Sequence, residues 1–247
     1  MRSGEYIAFI DSDDYIDNEY IEKLYNATEN KTIDYVRCLI ANRGNVQITE
    51  KTYTKKEEFQ EIFNLLLNTY QLSSVWCGMV KRKILESNNI RFKEEYNYAE
   101  DYLFNIEIFK NINTFKYINY KGYYYRENQE SLTNKFDEEK LINNLKMAIK
   151  AYRELYKLFP KDKLKVDNRI EKEILHILDS LFYATTKTTQ KQRMRIYTKV
   201  NEILEKEDNI FNSPDLKLLN NKHYILYDIK KNVLKKFPRK IKHIIIK

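Results

Sequence analysis

Glycine and proline are scarce, with four of one and three of the other in 247 residues. Together with 43% hydrophobic and 14% aromatic content, that scarcity speaks against extended disorder and for a packed chain. The glycines stand at 4, 44, 78 and 122, too scattered for a Walker loop or a dinucleotide-binding fingerprint. Only Cys38 and Cys77 are present, which excludes a disulfide framework and a cysteine-based zinc site and suggests a reducing compartment. The three histidines, His176, His223 and His243, lie too far apart for a zinc-protease signature and weaken any histidine-based triad. No apolar run approaches the roughly 18 residues that span a bilayer, and no signal peptide precedes the first strand. The chain reads as cytoplasmic.

What is present is charge, unevenly placed. The formal net charge is +8, yet residues 230–247, KKNVLKKFPRKIKHIIIK, hold eight Lys or Arg and no acid. The remaining chain is neutral, with 36 basic and 36 acidic residues. A neutral body with a basic, isoleucine-ended tail argues against a nucleic-acid-binding face. It fits peripheral contact with an anionic surface on the inner face of the cell membrane, and equally a solvated terminal helix.

Periodicity divides the chain. Residues 6–10 read as a short buried strand, 33–41, 46–53, 73–81 and 115–126 as further strands, and 17–30, 55–69, 82–90 and 99–112 as helices. That mixture over residues 1–135 predicts an α/β layer structure. From 136 onward only helical patterns appear, over 137–159, 167–187, 190–206 and 214–236, broken at Pro160 and Pro214. Residues 136–247 are therefore expected to form an α-helical region.

Three constellations could carry chemistry. In YIAFIDSDDYID an apolar run ends in Asp11, Asp13 and Asp14. Clustered carboxylates raise one another's pKa unless a cation neutralises them, so a Mg²⁺ or Mn²⁺ that also holds phosphates is one reading. A turn capping the next helix is the other. Glu100–Asp101 opens an apolar helix; acids favour that position for dipole reasons alone, but a carboxylate held there could also act as general base. In YYYRENQESLTN, Arg126 could clamp a phosphate, with hydroxyl contacts from Ser131 and Thr133.

In this order the motifs resemble the inverting glycosyltransferases of family 2, with the GT-A (Rossmann-like) fold. GEYIAFIDSDDYI resembles that family's strand and DxD motif, SSVWCGMVKRKIL with IRF its acceptor-side segment, AEDYLFNIEIF its ED motif, and GYYYRENQESLT its closing segment. The resemblance covers roughly residues 4–135. It implies a nucleotide-diphosphate sugar donor, first of all a UDP-sugar, and a glycan or lipid-linked hydroxyl acceptor in bacterial surface polysaccharide or lipooligosaccharide synthesis. It implies Asp13 as main metal ligand, Asp11 at the ribose, donor sugar or metal, and Asp14 in support. Asp101 would be the base, Glu100 would shape the pocket, Arg126 and Ser131 would meet the diphosphate, and Trp76 would offer a ring face to sugar or serve as a core aromatic.

Two departures qualify those expectations. Where many relatives have histidine in the closing segment, Asn128 or Gln129 stands here. Relatives also carry a base-gripping half-sheet before the DxD strand, whereas only MRSGE precedes it here. The reading is thus of an incomplete GT-A domain, poor in donor binding and turnover. The alternative is a truncated non-catalytic remnant acting as a binding module. Strand 6–10, central in the family's largely parallel sheet, would then show an open edge.

Overall fold

The computed structural model describes residues 4–41, 49–54, 61, 74–126, 136–158, 160–183, 188–206 and 213–235. The chain forms two compact units: Met1–Asn128 with Lys157–Pro160, and Gln129–Tyr156 with Lys161–Lys247. The first is α/β and the second helical.

In the first unit the order is β1 (Tyr6–Ala8), β2 (Tyr15–Ile16), α1 (Tyr20–Asn26), β3 (Tyr35–Ile40), β4 (Lys51–Tyr53), β5 (Gly78–Lys81), α2 (Arg82–Ser87), α3 (Glu100–Asn111) and β6 (Phe115–Tyr124). The sheet runs β1-β5-β3-β6-β2, with β4 also on β6. Only β3 and β6 pair in parallel; the other described pairings are antiparallel. The sheet is therefore mainly antiparallel, not largely parallel, and strand 6–10 is half-buried instead of buried, while it stands at the sheet's end with the open edge expected of it. Among the described residues β1 pairs with β5 alone, is half-buried throughout, and ends at Ala8. The centre is β3, buried at all six positions.

Strand β3 is central because YVRCLI is nearly continuously apolar, as a strand covered on both faces requires. Its one charge, Arg37, is completely buried. At Gly78 an added Cβ would lie 3.0 Å from the Tyr35 ring and the Val36 carbonyl and 3.1 Å from Arg37 Cγ. Only glycine lets β5 approach β3 this closely. The start of β3 is stapled by Asp34, which accepts hydrogen bonds from Asn113 and Thr114 N–H at 2.9 and 3.2 Å and pairs with Lys81 at 2.8 Å. Burial alone would raise the Asp34 pKa, but Lys81 and the two amides outweigh it and hold it below the usual carboxylate value.

The expected strand 73–81 is shorter than its apolar pattern. Residues 74–77 are irregular and only Gly78–Lys81 is strand. Helix 17–30 contracts to α1, with Asp17 Oδ1 accepting the Glu19 N–H at 3.0 Å. Apart from Glu61, the 55–69 helix lies outside the described residues.

The second unit contains α4 (Glu138–Leu158), a short 3₁₀ turn at Pro160–Asp162, α5 (Lys163–Tyr183), α6 (Gln190–Glu205), α7 (Pro214–Asn220) and α8 (Tyr224–Lys235). Thr189 and Gln192 form a reciprocal capping box on α6, and Ser213 caps α7 with Pro214 in its first turn, the signals that favour helix starts. The single helix expected over 214–236 is two helices. Inside this unit Asp228, 2% exposed, receives both arms of Arg193 at 2.6 and 3.0 Å, the Tyr197 hydroxyl at 2.9 Å and the Asn232 amide at 3.0 Å.

Candidate active site

The acidic turn after β1 is held from one side. Asp14 N–H closes on the Asp11 carbonyl at 3.2 Å. Its carboxylate accepts the Tyr123 hydroxyl at 2.7 Å and the Arg126 N–H at 2.8 Å, while Asp11 N–H donates to the Tyr123 oxygen at 3.2 Å. Both carboxylate oxygens of Asp14 are thereby engaged with the end of β6, and the residue anchors the turn. Asp11 and Asp13 are exposed. Partial desolvation, then the charges of Asp14, Asp13 and Glu100, raise the Asp11 pKa, so negative charge is concentrated here beyond what the turn itself neutralises.

Across the site, α3 opens on Glu100 and Asp101 after Ala99, a non-glycine residue in left-handed backbone at φ 60°. Asp101 Oδ2 accepts the Val75 N–H at 3.1 Å. Burial is the largest influence on this carboxyl, and with the charges of Glu100 and Asp11 it pushes the pKa up to about 6; the Val75 hydrogen bond and Arg37 pull against it. The desolvated first turn thus overrides the lowering that helix-start placement alone would give. Asp101 and Asp11 each feel charge from the other's cluster, so the fold brings the two motifs, 90 positions apart, within electrostatic reach of one another.

Sequence reading did not single out the strap between them. Arg37 donates to the Tyr35 hydroxyl and the Ser74 carbonyl, both at 2.6 Å, and to the Trp76 carbonyl at 2.9 Å. Asn105, from the buried side of α3, donates to the same Ser74 carbonyl at 2.7 Å and accepts the Tyr35 hydroxyl at 2.9 Å. Ser74–Trp76 is therefore fixed through its carbonyls, leaving the Val75 N–H aimed at Asp101. An arginine within an apolar strand was the available signal, since a charge at such a position needs specific partners.

Trp76 is 8% exposed and its ring stacks on Tyr123 at 4.8 Å and on Tyr125 at 5.8 Å between centroids. It is a core aromatic bracing β6, not a free platform. Arg126 is exposed beside the acidic turn. Ser131, Thr133, Asn128 and Gln129 lie outside the described residues. Cys38 and Cys77 are free, buried thiols; burial pushes the Cys77 thiol up, which keeps it unreactive.

Among the described residues no three His, Cys, Asp or Glu side chains converge as a metal-holding group. The donor set still fits a hard divalent cation of the kind that takes one or two carboxylates and completes its shell with phosphate oxygens and water. Asp11 and Asp13 are the residues available for it, since Asp14 is committed to Tyr123 and Arg126.

Residues 2–88 match the model of glycosyl transferase family 2. EpsJ of Bacillus subtilis strain 168, described as an uncharacterized glycosyltransferase, is 29% identical over 137 residues, covering 53% of this chain and 40% of its own length. The match therefore spans less than half of that relative. The structure of S. aureus TarS 1–349 in complex with UDP-GlcNAc aligns with 95% of this chain and 69% of that one, at a TM-score of 0.62 and 19% identity. TarS 1–349 in complex with UDP gives 0.52 at 19% identity, over 93% of this chain and 65% of that one. Likeness at this identity is likeness of fold: an α/β domain followed by a helical region.

Proposed function

We propose that this chain is a family 2 glycosyltransferase that moves a sugar from a nucleotide-diphosphate sugar to a hydroxyl acceptor with inversion at the anomeric carbon. The observation that carries the reading is Asp101: a half-buried carboxylate, oriented by the Val75 N–H and with its pKa near 6, facing the Asp11–Asp14 turn. A base of that pKa is ionised at neutral pH yet basic enough to take a proton in the transition state.

In this reading the acceptor hydroxyl gives its proton to Asp101 as its oxygen bonds to the anomeric carbon. The bond to the diphosphate breaks on the opposite face, and the diphosphate leaves with the electron pair. Asp13 and Asp11 would hold Mg²⁺ or Mn²⁺, which would supply Lewis acidity toward the diphosphate. Arg126, exposed beside the turn, is placed to meet the same phosphates, and Glu100 borders the acceptor. Because TarS was solved with UDP-GlcNAc and with UDP, a UDP-sugar is the first donor to test. A glycan or lipid-linked acceptor of the bacterial surface completes the proposal.

The test is calorimetry with UDP and UDP-GlcNAc in the presence of Mn²⁺, followed by a transfer assay. Wild type is expected to bind weakly and turn over slowly, Asp13→Ala to lose the metal-dependent part, and Asp101→Asn to bind but not transfer. No binding by wild type, or unchanged binding by Asp13→Ala, defeats the metal–diphosphate assignment. Binding by wild type without turnover moves the conclusion to a binding module.

A further inference from the structure

Helices α4 and α6 line a cavity of about 840 Å³ within the helical unit. Its walls follow the helical repeat. Lys146, Lys150 and Arg153 stand four and three positions apart along α4, and Lys199 and the C-cap Lys206 seven apart along α6. Residues at those intervals share a helix face, so each wall carries a row of cations about 10 Å long. Two carboxylates, Glu154 and Glu202, lie among them. The apolar part of the lining is three isoleucines, Ile149 buried and Ile142 and Ile203 half-buried.

The fold uses some of this charge and leaves some over. Lys199 bonds Glu138 at 2.7 Å, a carboxylate that Arg195 also engages. Lys150, Arg153 and Glu154 take part in interactions of their own. Lys146 and Lys206 are exposed, and their side chains pair with no carboxylate among the described residues. Five cations against two carboxylates on one concave surface give a field that concentrates anions.

We infer that the α4–α6 groove binds an elongated, multiply anionic glycan. The length of the two rows calls for several charges spread along a chain, more than a single phosphate offers. Glu154 and Glu202 would repel a chain charged at every unit, but their oxygens accept hydrogen bonds from hydroxyls, and the isoleucines can receive the C–H face of a sugar ring. Nucleic acid fits less well, because none of the described lining residues is aromatic and single strands bind on stacking platforms. The inference rests on the helical unit alone and survives failure of the glycosyltransferase reading.

The test follows the fluorescence anisotropy of a labelled oligomannuronate and of a labelled phosphorylated dextran oligomer, each mixed with the full chain. Unmodified dextran oligomer and inorganic polyphosphate are the comparators. Binding of either anionic glycan supports the inference, and the tighter of the two tells whether carboxylate or phosphate is the charge recognised. Lys146→Gln together with Lys206→Gln is expected to lower affinity about tenfold, with circular dichroism and thermal unfolding unchanged because both side chains are exposed. Lys83→Gln together with Lys93→Gln, exposed on the sheet unit, should leave affinity as it was. The inference is overturned if neither anionic glycan binds, if neutral dextran binds equally, or if polyphosphate binds as tightly as the glycans. It is overturned as well if affinity ignores the groove substitutions or falls equally with those on the sheet unit.

Discussion

Each unit builds a network on an arginine, fully buried Arg37 in the sheet unit and half-buried Arg193 in the helical one, and treats it differently. In the helical unit Arg193 meets a carboxylate, Asp228, in a bidentate pair that also collects a phenol and an amide. Its charge is cancelled where it stands. In the sheet unit Arg37 is held by a phenol and two main-chain carbonyls. Its field reaches outward instead, and Asp101 is one group that feels it. A carboxylate at its side closes an arginine's charge off, whereas the charge of Arg37 still reaches Asp101. The first arrangement suits a scaffold and the second a site.

The most forceful way to probe that contrast is at the recipient of the field. Asp101→Asn keeps an oxygen for the Val75 N–H but removes the base, and transfer is expected to fall about 10³-fold, read as product released per enzyme with nucleotide binding unchanged. Next come the two arginine systems. Asp228→Ala leaves the largely enclosed Arg193 guanidinium without its carboxylate, and should cost about 3 kcal/mol of stability in denaturant unfolding. Arg37→Met should cost about 2–4 kcal/mol, because it strands the Trp76 carbonyl and leaves the Ser74 carbonyl with Asn105 alone. It should also do what Asp228→Ala cannot: raise the Asp101 pKa, visible in a carboxyl NMR titration and as an acid limb of activity shifted upward. An unmoved titration would mean that Arg37 acts on structure alone.

A smaller effect has the opposite sign. The folded pKa of Asp101, about 6, stands above its ordinary 3.8. Between those values the folded chain keeps a proton that the unfolded chain has lost. Stability therefore declines as pH rises through that window, and the penalty is complete above it. Asp101→Asn should accordingly be more stable than wild type at pH 7, by roughly 1–2 kcal/mol, with the difference gone below pH ~4. The smallest effect is expected at Glu138, whose partners Arg195 and Lys199 are 62% and 50% exposed. Its replacement by alanine should cost under about 1 kcal/mol, mostly erased by salt.

The acidic turn, the helix-start pair and the switch to helices after residue 136 were legible because each leaves a local mark: an apolar run stopped by acids, a 3.6-residue period, a missing alternation. Sheet order was not legible. The open edge of β1 followed from the resemblance, but its antiparallel pairing on β5, Ile7 against Val80, is encoded by no local pattern. The role of Asp14 was hidden for a similar reason, since its hydrogen-bonding partners lie 109 and 112 positions away. Residues 74–77 misled by composition: SVWC is apolar enough for a strand, but the Ser74 and Trp76 carbonyls are taken by side chains, and the strand begins only at Gly78. Trp76 was legible as an aromatic near the site, while the stacking that removes it from the surface was not.

Both segments that frame Asp101 enter it through left-handed backbone on a residue with a side chain, Cys77 at φ 67° and Ala99 at φ 60°. Glycine would relieve on the order of 1 kcal/mol at each. It would also multiply the conformations open to the chain on either side of the carboxylate. With alanine and cysteine there, the folded state tolerates local strain and in exchange has few competing ways to present the 74–77 segment and the first turn of α3. What these two positions secure is a scarcity of alternatives: the Asp101 carboxylate has essentially one address.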